Sequence, residues 1–382
     1  MNIDTLLLAG HPTPFYLYDM PLLHATLSEL KRCTDGRPIK VHYAIKANNN
    51  PVILATIAKA GFGADCVSGG EIKAALKAGF TPSDICYAGV GKTDDEILLG
   101  LNEGIGCFNV ESIEELEIIS QIASSHGKVA DVALRVNPNI DAHTHHFITT
   151  GLEENKFGID LRLLDAAVEL ATTLPGLRLK GLHFHIGSQI TTMEPFALLC
   201  ERVNGLIEKY AQRGIEFPTI NVGGGLGIDY DDPDGNPMPD FEGFFDSVSS
   251  GLCLQPGQEV HCELGRSVVG QCGSLITSVV YVKQGIGRQF LIVDGGMSDL
   301  LRPALYGARH VIQNLTPADP SSTAVYDVVG PICESTDVFA KDAVLPVSHR
   351  GDLIALRSAG AYGETMASHY NMRCLYPAVF VF

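Results

Sequence analysis

Residues 41–46 have the sequence VHYAIK, a short run of β-branched and aromatic residues that ends in a lysine, and a helical pattern over Pro51–Ala60 follows it. A strand followed directly by an amphipathic helix is the repeating unit of α/β folds. The alternation continues and yields eight candidate strands, namely Val41–Lys46, Ala64–Val67, Ile85–Ala88, Cys107–Val110, Val132–Val136, Lys180–His185, Thr219–Val222 and Glu259–Glu263. Eight strands that alternate with helices predict a (β/α)₈ barrel.

The strand patterns beyond residue 272 are of another kind, because turn residues rather than helical periodicity separate them. They are Leu275–Val282, Phe290–Val293, Ala324–Val329, Val338–Phe339 and Leu353–Leu356. We therefore predict an α/β protein with a (β/α)₈ TIM barrel over residues 21–272 and a β-rich domain formed by residues 1–20 and 273–382. A doubly wound sheet is the alternative, but it would need no β tail, and no GxGxxG motif opens a helix.

The composition argues against several classes of partner. The formal net charge is -17, and the sequence has no block of consecutive Lys or Arg, so neither nucleic acid nor an anionic membrane is an expected partner. No segment approaches the roughly 18 apolar residues of a membrane span, and no signal peptide is recognisable. The ten cysteines are scattered without a CxxC pair. We expect a cytoplasmic protein whose thiols are reduced.

Catalytic groups of a barrel come from the carboxyl ends of its strands. The residues at or near these ends are Lys46, Asp65, Arg135, His185, the glycines Gly223, Gly224 and Gly225, and Glu263. Lys46 follows apolar residues, and partial desolvation would lower the pKa of its ammonium group and free the amine to attack a carbonyl. The alternative is a lysine that reaches from the rim into solvent.

Glycine-rich turns follow three of the predicted strands. Gly223 to Gly225 can place successive backbone N–H groups around an anion, and Gly187-Ser188 and Gly265-Arg266 provide further donors at the same rim. A tight βα turn is the other interpretation of each glycine run. Three such loops at one rim favour a phosphate site.

His183 and His185 alternate in the sixth predicted strand, so they lie on one face of it. A metal pair is one interpretation, but His143, His145 and His146 lie in a polar loop and supply no third ligand at a strand end. We predict no metal and expect a ring that packs on a flat ligand. Glu263 ends an apolar strand and needs a partner there, either Arg266 or a protonated ring nitrogen of a cofactor.

Seven motifs occur in the order that is typical of one known family. They are VHYAIKAN from Val41, GADCVSGGE from Gly63, HFHIGSQ from His183, GGGLG from Gly223, ELGR from Glu263, GPICES from Gly330 and GAYG from Gly360. Nearly the whole chain thereby resembles the alanine-racemase-like, fold-type III decarboxylases of amino acids, which use pyridoxal 5'-phosphate. Leu264 departs from the pattern, since the family commonly has proline there, and this changes loop stiffness rather than chemistry.

The resemblance implies roles for individual residues. Lys46, His185 and Cys333 are the expected catalytic residues: Lys46 holds the cofactor as a Schiff base, His185 stacks on its ring, and Cys333 donates a proton from the opposite subunit of a homodimer with shared active sites. Glu263 is the expected partner of the pyridinium nitrogen. The other expected contacts to the cofactor are Asp65, Ser188, Gly223, Gly224, Gly225, Gly265, Arg266 and Tyr362.

The resemblance also implies the substrate, a small-molecule amino acid. Glu334 follows Cys333 where enzymes of the ornithine type have aspartate, and the segment from Asp299 to Tyr306 resembles one that binds a second carboxylate. The expected substrate-binding residues are Arg266, Arg302, Tyr306, Glu334 and Tyr362. An arginine fork suits a carboxylate bidentately. The implied reaction is decarboxylation of meso-2,6-diaminopimelate to L-lysine, the last step of lysine biosynthesis.

Three alternatives remain at this point. The chain could decarboxylate another basic amino acid, such as ornithine or a carboxylated polyamine. It could be a non-catalytic barrel that binds pyridoxal phosphate, but such proteins lack a β-rich domain. It could be an amino-acid racemase, but racemases of this fold use a tyrosine as a base, and Cys333 would not serve in that role.

Overall fold

The computed structural model describes residues 10–140 and 156–382. Within these residues, none of the helices is both long and apolar enough to span a membrane. His143, His145 and His146 lie outside the described residues.

Eight parallel strands close into a barrel in the order in which they occur along the chain. Their bounds are β2 (Ile39–Ala44), β3 (Gly63–Cys66), β4 (Ile85–Tyr87), β5 (Cys107–Val110), β6 (Ala130–Arg135), β7 (Leu177–His183), β8 (Thr219–Asn221) and β9 (Glu259–Leu264). β2 closes the barrel by pairing with β9, with His42 opposite Glu263. The predicted (β/α)₈ barrel is confirmed.

Helices follow most of the barrel strands and bury one apolar face each. Those within the barrel segment are Met20–Thr34, Pro51–Lys59, Gly69–Ala78, Asp94–Glu103, Ile113–Ser125, Leu164–Thr173, Glu194–Ala211 and Phe241–Gly251. The helix Asp94–Glu103 illustrates how the sequence determines where a helix begins and ends. Thr93 and Glu96 form a capping box at its beginning, and Gly104 ends it in the left-handed conformation.

A second, mostly antiparallel sheet contains the strand β1 (Phe15–Asp19) and seven strands from the last third of the chain. The later strands are β10 (Gly273–Gln284), β11 (Gln289–Val293), β12 (Ile312–Asn314), β13 (Thr323–Val329), β14 (Val338–Pro346), β15 (Leu353–Leu356) and β16 (Val379–Val381). β1 pairs antiparallel with β10 and parallel with β16. Phe15, Leu17, Ile276 and Ala355 form a buried apolar cluster on this sheet. The predicted β-rich domain is confirmed as a fold class.

The contacts within the chain divide it into two compact units. Of the described residues, the barrel unit contains 27–140, 156–227 and 240–265, and the β-rich unit contains 10–26, 228–239 and 266–382. The sequence-based boundaries at residues 21 and 272 stay a prediction about how the chain divides into domains.

The structure differs from the sequence analysis at several ends of elements. Lys46 lies in a 3₁₀ turn, Ile45–Ala47, directly after β2, rather than in the strand itself. His185 lies two residues beyond the end of β7. The sequence analysis did not identify β1, β12, β16, or the helices Met20–Thr34 and Phe241–Gly251. Short strands such as β12 and β16 have three residues each, too few to show a period.

Candidate active site

The amine of Lys46 and the carboxylate of Asp65 form an ion pair where β2 and β3 end. Lys46 Nζ donates to Asp65 Oδ2 at 3.2 Å. The Asp65 side chain is fully buried, whereas 40% of the Lys46 side chain is exposed. Burial raises the pKa of Asp65 to about 6, because it removes water from the charged form, and the positive charge of Lys46 opposes this effect. Lys46 thus presents its amine to an accessible space beside a buried acid.

Three side chains from three strands hold the carboxylate of Glu263. Asn109 Nδ2 and Asn221 Nδ2 donate to Oε1 at 3.0 and 2.8 Å. His183 Nε2 lies 2.9 Å from Oε2. All four residues are buried. A buried carboxylate with this many partners is fixed in position and keeps its charge.

The charge state of Glu263 follows from these contacts. Burial alone would raise its pKa, but the His183 imidazole, and with it Lys46, hold the pKa well below its ordinary value. Glu263 is therefore ionised. Arg266, which the sequence analysis considered as a structural partner of Glu263, is not among these three donors. The sequence analysis missed Asn109 and Asn221, and considered His183 only as a metal ligand or a packing ring.

The imidazole of His185 contacts the glycine turn after β8. The Gly224 N–H donates to His185 Nδ1 at 3.3 Å, so this nitrogen carries no proton. Burial lowers the pKa of His185 well below its ordinary value, and the cations Arg135 and Lys46 add to the effect. The ring is therefore neutral, a state that suits contact with a flat aromatic ligand.

The glycines of this turn are required by close backbone packing. Gly223 has φ +72°, and a Cβ there would lie 2.2 Å from the Phe184 carbonyl oxygen. A Cβ on Gly224 would lie 1.9 Å from the carbonyl oxygen of Glu263. The turn thus brings backbone N–H groups next to the strand that carries Glu263. Gly265 also has a close neighbour, since an added Cβ would lie 3.0 Å from Cβ of Ala47. Ser188, in the turn after β7, is half-buried.

Arg135, which ends β6, is tied to a second buried acid. Arg135 Nη1 donates to Glu111 Oε1 at 2.6 Å. Glu111 also accepts the N–H groups of Gly89 and Gly158, at 3.1 and 2.9 Å. The carboxylate thereby connects Arg135 with the segments that follow β4 and β6. Sequence reasoning placed Arg135 at a strand end but gave it no role, and nothing marked Glu111.

The β-rich unit contains a separate cluster of arginines and tyrosines. Arg266 Nη1 donates to the Tyr230 hydroxyl at 2.6 Å. The Arg302 guanidinium lies over the Tyr230 ring, 4.7 Å from its centroid, and that of Arg266 lies 4.9 Å from the centroid of Tyr362. Arg302 is 6% exposed, so its guanidinium is buried rather than at the surface. Tyr306, at the end of the short helix Arg302–Tyr306, is half-buried.

His310 orients Arg302. His310 Nδ1 lies 2.8 Å from the carbonyl oxygen of Arg357, which can only accept, so Nδ1 carries the proton. Nε2 then accepts from Arg302 Nη1 at 2.9 Å. Burial lowers the pKa of His310 to about 3, and the charge of Arg302 adds to this effect. Among the salt bridges of the described residues, none supplies Arg302 with a carboxylate, so this buried cation has capacity for an anion.

Cys333 and Glu334 lie on an exposed turn of the β-rich unit. The Cys333 backbone N–H donates to Asn371 Oδ1 at 3.3 Å, and the Tyr370 hydroxyl donates to the Glu334 carboxylate. The thiol of Cys333 is thus open to a reaction partner. Its exposure contrasts with Cys66, Cys86, Cys262 and Cys272, which are buried.

Comparisons with known proteins agree with this arrangement. Residues 23–270 match the family described as the pyridoxal binding domain of pyridoxal-dependent decarboxylases. The chain belongs to this family of carbon–carbon lyases, and the resemblance inferred from the motifs is confirmed. The solved and curated proteins that it resembles carry a more particular name.

Three of these relatives are diaminopimelate decarboxylases. The enzyme of Bacteroides thetaiotaomicron is 56% identical over 362 residues, which cover 94% of this chain and 93% of the relative. That of Helicobacter pylori strain J99 is 43% identical, over 95% of this chain and 89% of the relative. The crystal structure of the Helicobacter pylori enzyme complexed with L-lysine has a TM-score of 0.92 at 42% identity, over 98% of this chain and 93% of that one.

The residues of the barrel unit fit pyridoxal phosphate. An amine for the aldehyde, an ionised carboxylate for the ring nitrogen and a neutral imidazole for the ring face all occur in one unit. Asp65 Oδ1 is buried, and within the described residues it has no hydrogen-bond partner, so it can accept from a bound group. This donor set is suited to a cofactor with a carbonyl, a basic ring and an anion.

Proposed function

We propose that this chain decarboxylates meso-2,6-diaminopimelate to L-lysine and carbon dioxide, with pyridoxal 5'-phosphate attached to Lys46, in the cytoplasm. The observation that carries the proposal is the Lys46–Asp65 pair in the same unit as the ionised Glu263. The names of the relatives and the L-lysine in the related crystal structure support the choice of substrate and product.

When bound, the cofactor supplies an electron-accepting ring for the electron pair that departing carbon dioxide leaves behind. Glu263 maintains the proton on the ring nitrogen, because its charge is fixed by Asn109, Asn221 and His183. His185 covers the ring face. Ser188, Gly223 to Gly225, Gly265, Arg266 and Tyr362 hold the phosphate or adjacent atoms, and Asp65 accepts hydrogen bonds beside Lys46.

Cys333 returns a proton to the carbon that has lost its carboxylate. The proton leaves Sγ, and the thiolate regains one from water after the product departs. The exposure of this residue is compatible with its acting on a second copy of the chain. We therefore propose a homodimer in which each copy contributes Cys333 and Glu334 to the other copy's site.

The far end of the substrate bears both an ammonium group and a carboxylate. We propose that the Glu334 carboxylate binds the ammonium group, and that Arg302, with Arg266, Tyr306 and Tyr362, binds the carboxylate. The support is the burial of Arg302 without a carboxylate partner among the described residues, together with its fixed orientation by His310. A guanidinium held in this way matches a planar carboxylate in shape as well as charge.

Two measurements test the proposal. Borohydride reduction of the purified protein should fix the cofactor covalently on Lys46, as located by peptide mass spectrometry, and Lys46→Ala should abolish the label. Turnover should be faster with meso-diaminopimelate than with L-ornithine. Faster turnover of ornithine would replace the substrate assignment but leave the cofactor assignment intact, whereas absence of a label would overturn both.

Cys333→Ala separates an enzyme from a non-catalytic cofactor-binding barrel. The variant should retain the borohydride label and lose decarboxylation by roughly a hundredfold or more, in the range typical of a lost proton donor. Cys374→Ala, which changes another exposed thiol of the same unit, is the matched control and should remain active. Equal loss in both variants would contradict the assigned role.

A further inference from the structure

The amino-terminal mouth of the barrel, opposite the strand ends that lead to Lys46, contains a second cluster of chemically active side chains. His42 on β2, Cys86 on β4 and His261 on β9 each offer one ligand atom, and these atoms all lie within 4.8 Å of one another. They line a cavity of about 400 Å³ together with Cys107 and Glu259. The proposed decarboxylation uses none of these residues.

The two imidazole rings are in direct contact. His42 Nε2 lies 3.0 Å from His261 Nδ1. The Cys86 Sγ lies 3.8 Å from His42 Nδ1. His42 and Cys86 are buried, and His261 is nearly so. The sulfur contact is to Nδ1, so the spacing of the three ligand atoms is given by their mutual limit of 4.8 Å. Rotation of the rings would bring such atoms around one tetrahedral ion, because nitrogen and sulfur ligands lie about 2.0 to 2.3 Å from zinc.

The hydrogen bonds fix the proton positions on both rings. His42 Nδ1 lies 3.0 Å from the Asp84 carbonyl oxygen, an acceptor, so Nδ1 carries the proton and Nε2 has a free lone pair. His261 Nδ1 must then donate to His42 Nε2, which leaves His261 Nε2 as an acceptor. Within the described residues this buried nitrogen has no hydrogen-bond partner. It faces another acceptor, Glu259 Oε2, at 3.9 Å.

A metal ion between the rings would remove the unfavourable contact between these two acceptors. It would replace the proton between the two rings, and that proton would move to His261 Nε2. Glu259 Oε2, now 3.9 Å away, could accept a hydrogen bond from it after a shift of the Glu259 side chain. Each ligating ring would then donate its other N–H to an oxygen, His42 to a carbonyl and His261 to a carboxylate. This is the outer contact that metal-binding histidines almost always have.

We propose that His42 Nε2, His261 Nδ1 and Cys86 Sγ bind one zinc ion. Two imidazoles and one thiolate are a borderline-soft set that suits Zn²⁺ better than Mg²⁺ or Ca²⁺. The Cys86 thiol loses its proton to solvent as the zinc–sulfur bond forms, so each ion bound releases one proton.

Cys107 is suited to the fourth position. It lies opposite Cys86 in the register of β4 and β5, and it lines the same cavity. If the Cys107 thiol keeps its hydrogen bond to the carbonyl oxygen of Phe108, a water molecule from the cavity would be the fourth ligand. The site would connect β2 with β9, the pair that closes the barrel. Its role would therefore be structural.

This inference departs from the sequence-based prediction of no metal. His42 is 44 residues from Cys86 and 219 residues from His261, so no short motif joins them. Only closure of the barrel brings them together.

The test uses the intact protein with its cofactor bound. Zinc should bind with a stoichiometry of one per chain in a titration against a chromophoric chelator, and zinc X-ray absorption should show nitrogen neighbours and at least one sulfur. Cys86→Ser and His261→Gln should each weaken binding by at least about tenfold. Cys253→Ser and His126→Gln, which change exposed residues, should bind as the parent does.

A milder variant guards against failure to fold. Glu259 is half exposed, and Glu259→Gln should weaken zinc binding by about tenfold through the His261 ring while the barrel stays folded. Zinc should also raise the melting temperature of the parent, and less so that of Glu259→Gln. Absence of zinc binding to the parent, a spectrum without sulfur, or binding that is unchanged in Cys86→Ser would each overturn the proposal. Decarboxylase activity does not enter this test.

Discussion

His183 Nε2 lies 2.9 Å from Glu263 Oε2 at the centre of the barrel unit, and both side chains are at least 94% buried. With Asn109 and Asn221 on the other carboxylate oxygen, this contact fixes Glu263 as an anion. The proposed interaction with the cofactor therefore depends on residues that need not touch the cofactor themselves.

Asn109→Leu should weaken cofactor binding. The change removes a buried hydrogen bond to a charged group, worth about 1.5 to 3 kcal/mol, or roughly ten- to a hundredfold in affinity. Titration of the apoprotein with pyridoxal phosphate, followed by visible absorbance, measures the effect. Asn204→Ala is the control. The Asn204 side-chain amide donates to the Gly251 carbonyl oxygen and accepts from the Cys253 N–H, so it is bonded to backbone away from Glu263. An equal loss of affinity in the control would argue against a specific role for Asn109.

Arg302→Lys should raise the KM for meso-diaminopimelate by about ten- to a hundredfold. Lysine retains the charge but loses the planar fork and the hydrogen bond to His310. Steady-state kinetics with meso-diaminopimelate and L-ornithine measure the effect, and ornithine, which lacks the second carboxylate, should be affected much less. Arg309→Lys changes an exposed neighbour and should leave both substrates unaffected. Parallel losses for both substrates would contradict the role given to Arg302.

The stability of the protein should depend on pH through Glu71. Burial raises the pKa of this carboxyl to about 7, although its hydrogen bond from Val67 opposes the effect. Between about pH 4.5 and 7 the folded state thus holds a proton that the unfolded chain releases, so this group makes stability fall as pH rises through that window. Above about pH 7 the loss of stability that Glu71 causes is complete.

Glu71→Gln removes this titration. The variant should be more stable relative to the parent at pH 8 than at pH 5, by up to about 3 kcal/mol. Melting temperatures of the two proteins at both pH values provide the comparison. Glu117→Gln, on an exposed helix position, should show no such dependence on pH. A constant difference between parent and Glu71→Gln at the two pH values would refute the assignment.

Gly224→Ala should displace the strand that carries Glu263. Its Cβ would lie 1.9 Å from the Glu263 carbonyl oxygen, so the backbone must move, at a cost of about 1 to 3 kcal/mol. Gly205→Ala is the opposite case, because this exposed helix position has no atom within 4 Å of an added Cβ. It should stabilise the protein by about 0.5 to 1 kcal/mol. Denaturant unfolding compares the two, and a stable Gly224→Ala protein would show that the turn can relax.

The sequence was sufficient to predict the barrel because its strands and helices alternate with clear periods. The predicted helix over Pro51–Ala60 differs from the observed Pro51–Lys59 by one residue. β1 was missed because the run FYLYD is buried at its first four positions and directly followed by a helix, so it shows no alternation. Its partners in the sheet come from the far end of the chain, which local patterns cannot reveal.

The strand ends identified Lys46, Asp65 and Glu263, but not the residues that hold them. Asn109 precedes the end of β5 by one position, and an asparagine in a strand has many possible partners. Its contact with Glu263 joins residues 154 positions apart. His310 likewise supports Arg302 through a fold that sequence periodicity does not specify. Roles that depend on the pairing of distant strands require the structure.

The pairing of β1 has a consequence for synthesis on the ribosome. β1 emerges before every barrel strand, yet its neighbours β10 and β16 are translated more than 250 residues later. The barrel strands β2 to β8 can pair successively as they appear. β1 must instead wait with unpaired backbone groups, and such an edge can associate with other nascent chains. The rate of translation through the last third of the message should therefore affect how much of the newly made protein reaches its native form.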